Sequence, residues 1–329
     1  MTRSMHSAAA LILGGSVVAL SIATFACGSS SNDGAGAGAA TSDAGAGAGD
    51  SATNRGDGGG SSSALVAARP YNFKVPSGYD KTKATPLVIL LHGYGASGVE
   101  QEAYFQLGPQ ADADTFLYAY PDGTLDSSGK RYWNADDACC AFLGPKVDDV
   151  AYVNAIIDDV ESKYNVDTKR VFVIGHSNGA FMSHRLACDS SDRIAAIVSL
   201  AGAVWNDPSE CTPSSKISVL DVHGDADMTI AYGGGTVATG VPNYPGELAT
   251  MATWAGKNGC SGALTGNAST LDLDSLLAGS ETTEQAYAGC PTGIDVALWT
   301  IHGGSHIPNL THPTWATSVF GFFKAHPKP

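Results

Sequence analysis

Six short apolar runs, most of them bounded by Gly or Pro, are the feature that most constrains how this chain can fold. Runs of this kind, rich in Val, Ile and Leu, are typical of strands buried on both faces of a sheet. They cover residues 87–91, 116–120, 170–174, 194–200, 217–222 and 296–301. Helical patterns separate them, and the clearest, over residues 148–164, has its apolar side chains on one face. The alternation predicts an α/β fold with a doubly wound, mostly parallel sheet.

The N-terminus has the pattern of a secretory signal over residues 1–27. Arg3 precedes an apolar run of small residues that ends at Ala26. The following Cys27-Gly28 resembles a bacterial lipoprotein site, which predicts a lipid on Cys27. Ordinary cleavage near Ala26 and an uncleaved anchor are the alternatives. All three export the rest of the chain, so we expect an extracellular or cell-surface protein whose only membrane contact is this lipid.

Composition divides the remainder into a linker and one domain. Residues 28–63 are mostly Gly, Ala and Ser and contain no large apolar residue, which predicts a flexible linker. Residues 64–329 show no second linker and no repeat, which predicts a single α/β domain. The chain has 18 Lys+Arg against 32 Asp+Glu, a formal charge of -14, and this excludes a nucleic-acid partner.

Six cysteines follow Cys27, and an even number in an exported chain predicts disulfide bonds. They are Cys139, Cys140, Cys188, Cys211, Cys260 and Cys290. Six cysteines can pair in 15 ways. Cys260 with Cys290 is the favoured pair, because both lie in Gly-rich loops between the same two core elements. A zinc site is disfavoured, because no CxxC pair or suitably spaced His accompanies these residues.

Polar motifs follow the predicted strands directly, where a parallel sheet binds its ligands. The segment 175–179 reads Gly-His-Ser-Asn-Gly and lies between a predicted strand and a predicted helix. In this strand-turn-helix context a GxSxG motif exposes its serine on a sharp turn. Ser177 is therefore the candidate nucleophile.

A serine nucleophile needs a base and a carboxylate that orients the base. In the order typical of this arrangement, the acid and then the histidine follow the serine along the chain. Asp227 and His306 each follow a later strand, with Asp225 and His302 as their alternatives. The backbone N–H groups of Tyr94 and Asn178 are the candidate oxyanion donors.

These motifs resemble the secreted polyhydroxybutyrate depolymerase and feruloyl esterase group of the α/β-hydrolase superfamily, which also includes acetyl xylan esterases. The resemblance runs from about residue 71 to residue 324. It rests on the motifs at 91–93, 120–123, 133–135, 139–140, 148–150, 175–179, 186–188, 223–227 and 303–306. It implies that Asp227 rather than Asp225 is the acid. Relatives often carry Trp shortly after the histidine, whereas this chain has Ile307-Pro308.

The sequence thus predicts a serine carboxylesterase that needs no metal or cofactor and takes an ester as its only partner. We expect feruloyl or acetyl esters of plant polysaccharide as substrates, and a polyester such as polyhydroxybutyrate is the alternative. Trp133, in a polar loop, and Trp205, after a strand end, are candidate substrate contacts. The alternative functions are those of an inactive surface binding protein and of a peptidase with the same fold.

Overall fold

The computed structural model describes residues 59–142, 144–266 and 271–329. The predicted signal segment, Cys27 and most of the predicted linker lie outside these ranges. The helices are α1 (Gly59–Ala68), α2 (Gly98–Phe105), α3 (Leu107–Asp114), α4 (Asp149–Lys163), α5 (Asn178–Asp189), α6 (Glu247–Asn258) and α7 (Thr314–Ala325). Within the described residues, no helix is both long and apolar enough to cross a bilayer.

The strands form one large sheet and two small ribbons. They are β1 (Asn72–Lys74), β2 (Thr85–Leu91), β3 (Leu117–Tyr120), β4 (Thr124–Leu125), β5 (Arg131–Tyr132), β6 (Val166–His176), β7 (Ala196–Leu200), β8 (Ser218–Gly224), β9 (Gly234–Gly235), β10 (Tyr244–Pro245), β11 (Leu264–Gly266), β12 (Thr282–Tyr287) and β13 (Val296–Ile301). The large sheet has nine strands in the order β1-β3-β2-β6-β7-β8-β13-β12-β11.

The six apolar runs are the six parallel strands of this sheet. Strands β3, β2, β6, β7, β8 and β13 pair in parallel, and β1, β12 and β11 add antiparallel edges. The prediction of a mostly parallel, doubly wound α/β sheet is confirmed. The edge strands were not predicted, because β12 is polar and only half-buried.

Two cores cover the two faces of the sheet. Alternate residues of β2 point to opposite sides: Leu87, Ile89 and Leu91 contribute to one core, and Val88 and Leu90 to the other. The first core includes buried residues of α4, α5 and α6, and the second those of α3 and α7. The carboxyl ends of β6, β7, β8 and β13 therefore meet at one edge between these layers.

The ordered domain begins earlier than predicted. Helix α1 starts at Gly59, so residues 59–63 of the predicted linker are helical. Leu65 and Val66 pack against the first core, and the Ser62 hydroxyl donates to Asp158 Oδ2 at 2.7 Å. These tertiary contacts order a segment whose composition alone favours a flexible chain.

Three disulfide bonds join the six cysteines of the domain, as Cys139–Cys140, Cys188–Cys211 and Cys260–Cys290. The predicted pairing of Cys260 with Cys290 is confirmed. The bond closes the loop after α6 onto the loop after β12. Three disulfides in one domain are typical of proteins that fold in an oxidising compartment.

Candidate active site

Ser177 lies on the sharp turn between β6 and α5, with φ 54° and ψ -121°. The chain passes too close to its neighbours here for any side chain at the two flanking glycines. A Cβ on Gly175 would lie 2.1 Å from the Gly179 carbonyl oxygen, and one on Gly179 would lie 2.2 Å from the Leu91 carbonyl oxygen. The Ser177 N–H donates to the Leu200 carbonyl at 2.9 Å. The unusual backbone at Ser177 is thus fixed by β2 and β7 on either side.

His306 and Asp227 complete a hydrogen-bonded chain that starts at Ser177. His306 Nε2 lies 3.0 Å from Ser177 Oγ, and His306 Nδ1 lies 2.7 Å from Asp227 Oδ2. Both distances are within hydrogen-bond range, and the base contacts the nucleophile through one nitrogen and the acid through the other. The structure therefore brings together the three residues that the sequence selected after β6, β8 and β13.

Asp227 is buried, yet it is held in its charged form. Its Oδ1 accepts from the N–H groups of Thr229 at 2.7 Å and Ile230 at 2.9 Å. Burial acts to raise the pKa of Asp227, but hydrogen bonds from His223 and His306 hold that pKa well below its usual range. A carboxylate held in its charged form can stabilise a positive charge on the imidazole beside it.

The alternative acid and base bind each other at the surface. His302 Nδ1 lies 2.9 Å from Asp225 Oδ2, and Asp225 Oδ1 accepts from the Gly303 N–H at 2.6 Å. The His302 side chain is 49% exposed and its Nε2 contacts Thr283 Oγ1. Neither residue has a hydrogen bond to Ser177. Asp225 and His302 are therefore a separate pair that holds the turn before His306.

A second buried histidine supports the loop that carries His306. His176 Nε2 lies 2.9 Å from the His306 carbonyl oxygen, and the two rings are 5.0 Å apart. Burial lowers the pKa of His176 to about 3, so the ring is neutral and Nε2–H donates to that carbonyl. Tyr104 contacts the His176 ring and donates its hydroxyl to the Pro308 carbonyl at 2.7 Å. No sequence pattern predicted this support, which joins α2, β6 and the His306 loop.

The two candidate oxyanion donors lie in loops beside Ser177. A Cβ on Gly93 would lie 3.4 Å from Ser177 Cβ, so the loop that carries Tyr94 runs directly past the nucleophile. In the described part of the chain, no acceptor binds the Tyr94 backbone N–H. Asn178 is the first residue of α5, where backbone N–H groups have no partner within the helix. Both N–H groups are thus available to a ligand.

Trp133 does not line a surface, contrary to the prediction. Its side chain is 0% exposed, and its indole N–H donates to the His92 carbonyl at 3.0 Å. The Asn178 side chain accepts from Trp133 N at 2.6 Å and donates to Trp133 O at 3.0 Å. These bonds satisfy the polar groups of the loop, which is why a tryptophan in a polar segment can be buried here. Trp133 therefore braces the site from inside and cannot touch a substrate.

A cleft of about 500 Å³ opens beside Ser177 and His306. Tyr94, Tyr104, Ala96 and Ile307 give it an aromatic and aliphatic wall. Ile307, which directly follows His306, is 62% exposed. The cleft is large enough for a phenolic ring and apolar enough to hold one.

Trp205 lines a different cavity, of about 390 Å³. The other side chains of this cavity are polar or acidic: Asp137, Asn206, Asp207, Glu210 and Asn243, together with Pro242. The guanidinium of Arg185 lies 5.2 Å from the centre of the Trp205 ring. Trp205 is therefore half-buried between a cation and a polar cavity, outside the cleft that contains Ser177.

The comparisons with known proteins agree with the fold. Residues 86–236 match the family described as alpha/beta hydrolase fold. Feruloyl esterase B of Piromyces equi is 30% identical over 239 residues, which are 71% of this chain and 41% of that protein. Feruloyl esterase D of Neurospora crassa is 26% identical over 258 residues, which are 75% of this chain and 76% of that protein. The chain thus matches less than half the length of the first of these relatives.

Among solved structures, an acetyl xylan esterase from Aspergillus awamori has the same fold. It aligns with a TM-score of 0.57 and 18% identity, over 77% of this chain and 93% of that one. The chain belongs to the alpha/beta hydrolase fold family, and the relatives it resembles are named as feruloyl esterases.

Proposed function

We propose that the protein is a serine esterase that cleaves feruloyl or acetyl esters of plant polysaccharide through an acyl-enzyme. The hydrogen-bonded chain from Ser177 through His306 to Asp227, at the mouth of an apolar cleft, is the observation that carries this proposal. Relatives named as feruloyl esterases support the substrate class.

The reaction follows from the roles of these groups. His306 Nε2 takes the proton of Ser177 Oγ as the oxygen attacks the ester carbonyl, and the Tyr94 and Asn178 N–H groups bind the oxyanion. His306 then gives its proton to the departing alkoxide, which leaves as an alcohol, and an acyl group remains on Ser177. Water repeats the sequence: His306 removes its proton, the hydroxide attacks the acyl carbonyl, and Ser177 regains a proton.

The cleft suits an aromatic acyl group that carries no negative charge near its reacting carbonyl. The rings of Tyr94 and Tyr104 offer stacking surfaces, and Ile307 closes one side. The chain has a formal charge of -14, so a strongly anionic polymer would be repelled, whereas a ferulate or acetate ester would not.

Trp205 is proposed to contact the sugar part of the substrate. An indole face together with carboxylate and amide side chains such as Glu210 and Asn243 suits a neutral sugar, which stacks on one and donates hydroxyls to the others. Trp205→Ala should raise KM on acetylated xylan several-fold and leave KM on methyl ferulate unchanged. Equal effects on KM for both substrates would show that Trp205 does not contact the polysaccharide.

The substrate class is tested by parallel assays on methyl ferulate, acetylated xylan and polyhydroxybutyrate, with the wild-type protein and the Ser177→Ala variant. We expect the wild type to hydrolyse one or both of the first two substrates and the variant to lose that activity. Hydrolysis of polyhydroxybutyrate alone would replace the polysaccharide ester by a polyester. An undiminished rate in the variant would refute the serine mechanism.

Export is proposed on the signal-like N-terminus and the three disulfide bonds. A lipid on Cys27 would then hold the domain at a membrane through the linker. Labelling with a clickable fatty acid should mark the wild-type protein and not the Cys27→Ser variant. Equal labelling of both would exclude Cys27 as the lipid site.

A further inference from the structure

His223 is a buried histidine on β8 that the reaction above does not use. Its side chain is 1% exposed and it bonds to acceptors at both ring nitrogens. His223 Nε2 lies 3.0 Å from Asp227 Oδ2 and 2.9 Å from the Ile230 carbonyl oxygen. His223 Nδ1 makes a very short contact with Oε1 of Glu247, the first residue of α6, whose side chain is 2% exposed.

This environment favours the cationic form of His223. Burial raises the pKa of Glu247 to about 7, and above that pH its carboxylate is ionised. A neutral imidazole has one N–H, so beside an ionised Glu247 one ring nitrogen would face acceptor lone pairs without a proton between them. A cation supplies N–H groups to both sides. Burial opposes this charge, but the carboxylates of Glu247 and Asp227 raise the pKa of His223 to about 10.

His223 and His306 share one oxygen of Asp227. Asp227 Oδ2 lies 3.0 Å from His223 Nε2 and 2.7 Å from His306 Nδ1. A cation on one side of this oxygen reduces its attraction for a second proton on the other side. The same hydrogen bond holds the carboxylate in the rotamer that faces His306.

We propose that His223, held between Glu247 and Asp227, is a positioning residue that orients the Asp227 carboxylate toward His306 and reduces the attraction of that carboxylate for a further proton. The proposal rests on the serine mechanism above. It gives Glu247 a role at a distance from the substrate, because the glutamate acts only through His223 and Asp227.

Other titratable groups lie around His223, Glu247, Asp227 and His306 and contribute to the electrostatic potential there. Asp221 of β8 and His184 of α5 lie near Glu247, and they are 3.2 Å from each other. The Tyr232 ring is 5.6 Å from His223, and Tyr244 faces Asp227. His176 faces His306, and the exposed pair of Asp225 and His302 lies beyond the end of β8. All of these groups are retained in the variants below, so their effects cancel in the comparison.

The pH dependence of kcat/KM tests the proposal in His223→Gln and in the double variant His223→Gln/Glu247→Gln. A glutamine amide still donates to Asp227 but carries no charge. In His223→Gln the buried carboxyl group of Glu247 loses its partner. The double variant replaces that carboxyl group as well, so the pH dependence can still be measured if the single variant does not fold. We expect the acid limb of the profile to move up by about half a unit to one unit in both variants. His326→Gln, at the C-terminal end of α7, is the matched control and should leave the limb in place.

If kcat/KM falls but the acid limb stays within about 0.2 pH units of the wild-type position, His223 has only a structural role. The charge itself is tested without activity, by ¹⁵N NMR of histidine-labelled protein at pH 8. One of the nine histidines should have both nitrogens protonated, and that signal should disappear in the double variant. Nine neutral histidines at pH 8 would overturn the proposal and leave the serine mechanism in place, whereas an active Ser177→Ala variant would overturn the serine mechanism and with it the role given to His223.

Discussion

The side chain of Asn178 clamps the Trp133 loop against the nucleophile turn, and its removal should cost a large part of the stability of the domain. Asn178 is fully buried and binds both the N–H and the carbonyl of Trp133, at 2.6 and 3.0 Å. In Asn178→Ala both backbone groups lose their partner inside the protein. A buried polar group left without a partner costs about 1–3 kcal/mol, so the two together cost roughly 2–6 kcal/mol.

A water molecule in the space left by the amide would recover part of this, so we expect a loss of about 2–4 kcal/mol in the free energy of unfolding. The corresponding fall in Tm is about 5–15 °C for a domain of this size. Urea unfolding and calorimetry measure both quantities, with Asn206→Ala as the control because Asn206 is exposed. A loss below about 0.5 kcal/mol, equal to that of the control, would refute the clamp.

Three further outcomes are expected. Gly179→Ala should cost more than about 3 kcal/mol or prevent folding, because its Cβ would lie 2.2 Å from a backbone carbonyl oxygen. Gly256→Ala should stabilise by about 0.5–1 kcal/mol, because Gly256 lies in the last turn of α6 and a Cβ there would meet no neighbour within 4 Å; urea unfolding of both variants checks this, and equal effects would contradict it. Asp227→Asn should lower kcat by about 10⁴-fold and Asp225→Asn by less than about twofold, and the reverse order in a methyl ferulate assay would exchange their roles. Burial lowers the pKa of His92 to about 4, so between about pH 6.5 and 4 the unfolded state binds more protons than the folded state. The free energy of unfolding should therefore decrease as the pH is lowered through this window, by up to about 1.4 kcal/mol per pH unit from this group. The same pH dependence in His92→Gln would show that His92 is not its cause.

The strands that could be predicted are those whose burial is visible in the sequence. Each of the six parallel strands contains a run of buried, mostly apolar residues, because helices cover both of its faces. The edge strand β12 reads Thr-Thr-Glu-Gln-Ala-Tyr, and only its pairing with β13 makes it a strand. Helix α1 could not be predicted for a similar reason, because its small residues depend on contacts with the first core.

The candidate site was predictable where residues follow strands in the chain. Ser177, Asp227 and His306 each come directly after a parallel strand, and the strand order brings these ends together. Glu247 has no such marker, since it reaches the site only because α6 packs beside β8. Trp133 was placed wrongly because its polar neighbours suggested exposure, while Asn178, distant in sequence, satisfies its backbone.

In the proposed reaction Ser177, activated by His306, attacks an ester and carries the acyl group. Mass spectrometry of the folded protein after treatment with a fluorophosphonate probe tests this step. We expect one adduct, on the peptide that contains Ser177, together with complete loss of methyl ferulate hydrolysis, and no adduct in His306→Ala. A fully labelled protein that still hydrolyses the ester, or an active protein in which Ser177 is never labelled, would contradict the account.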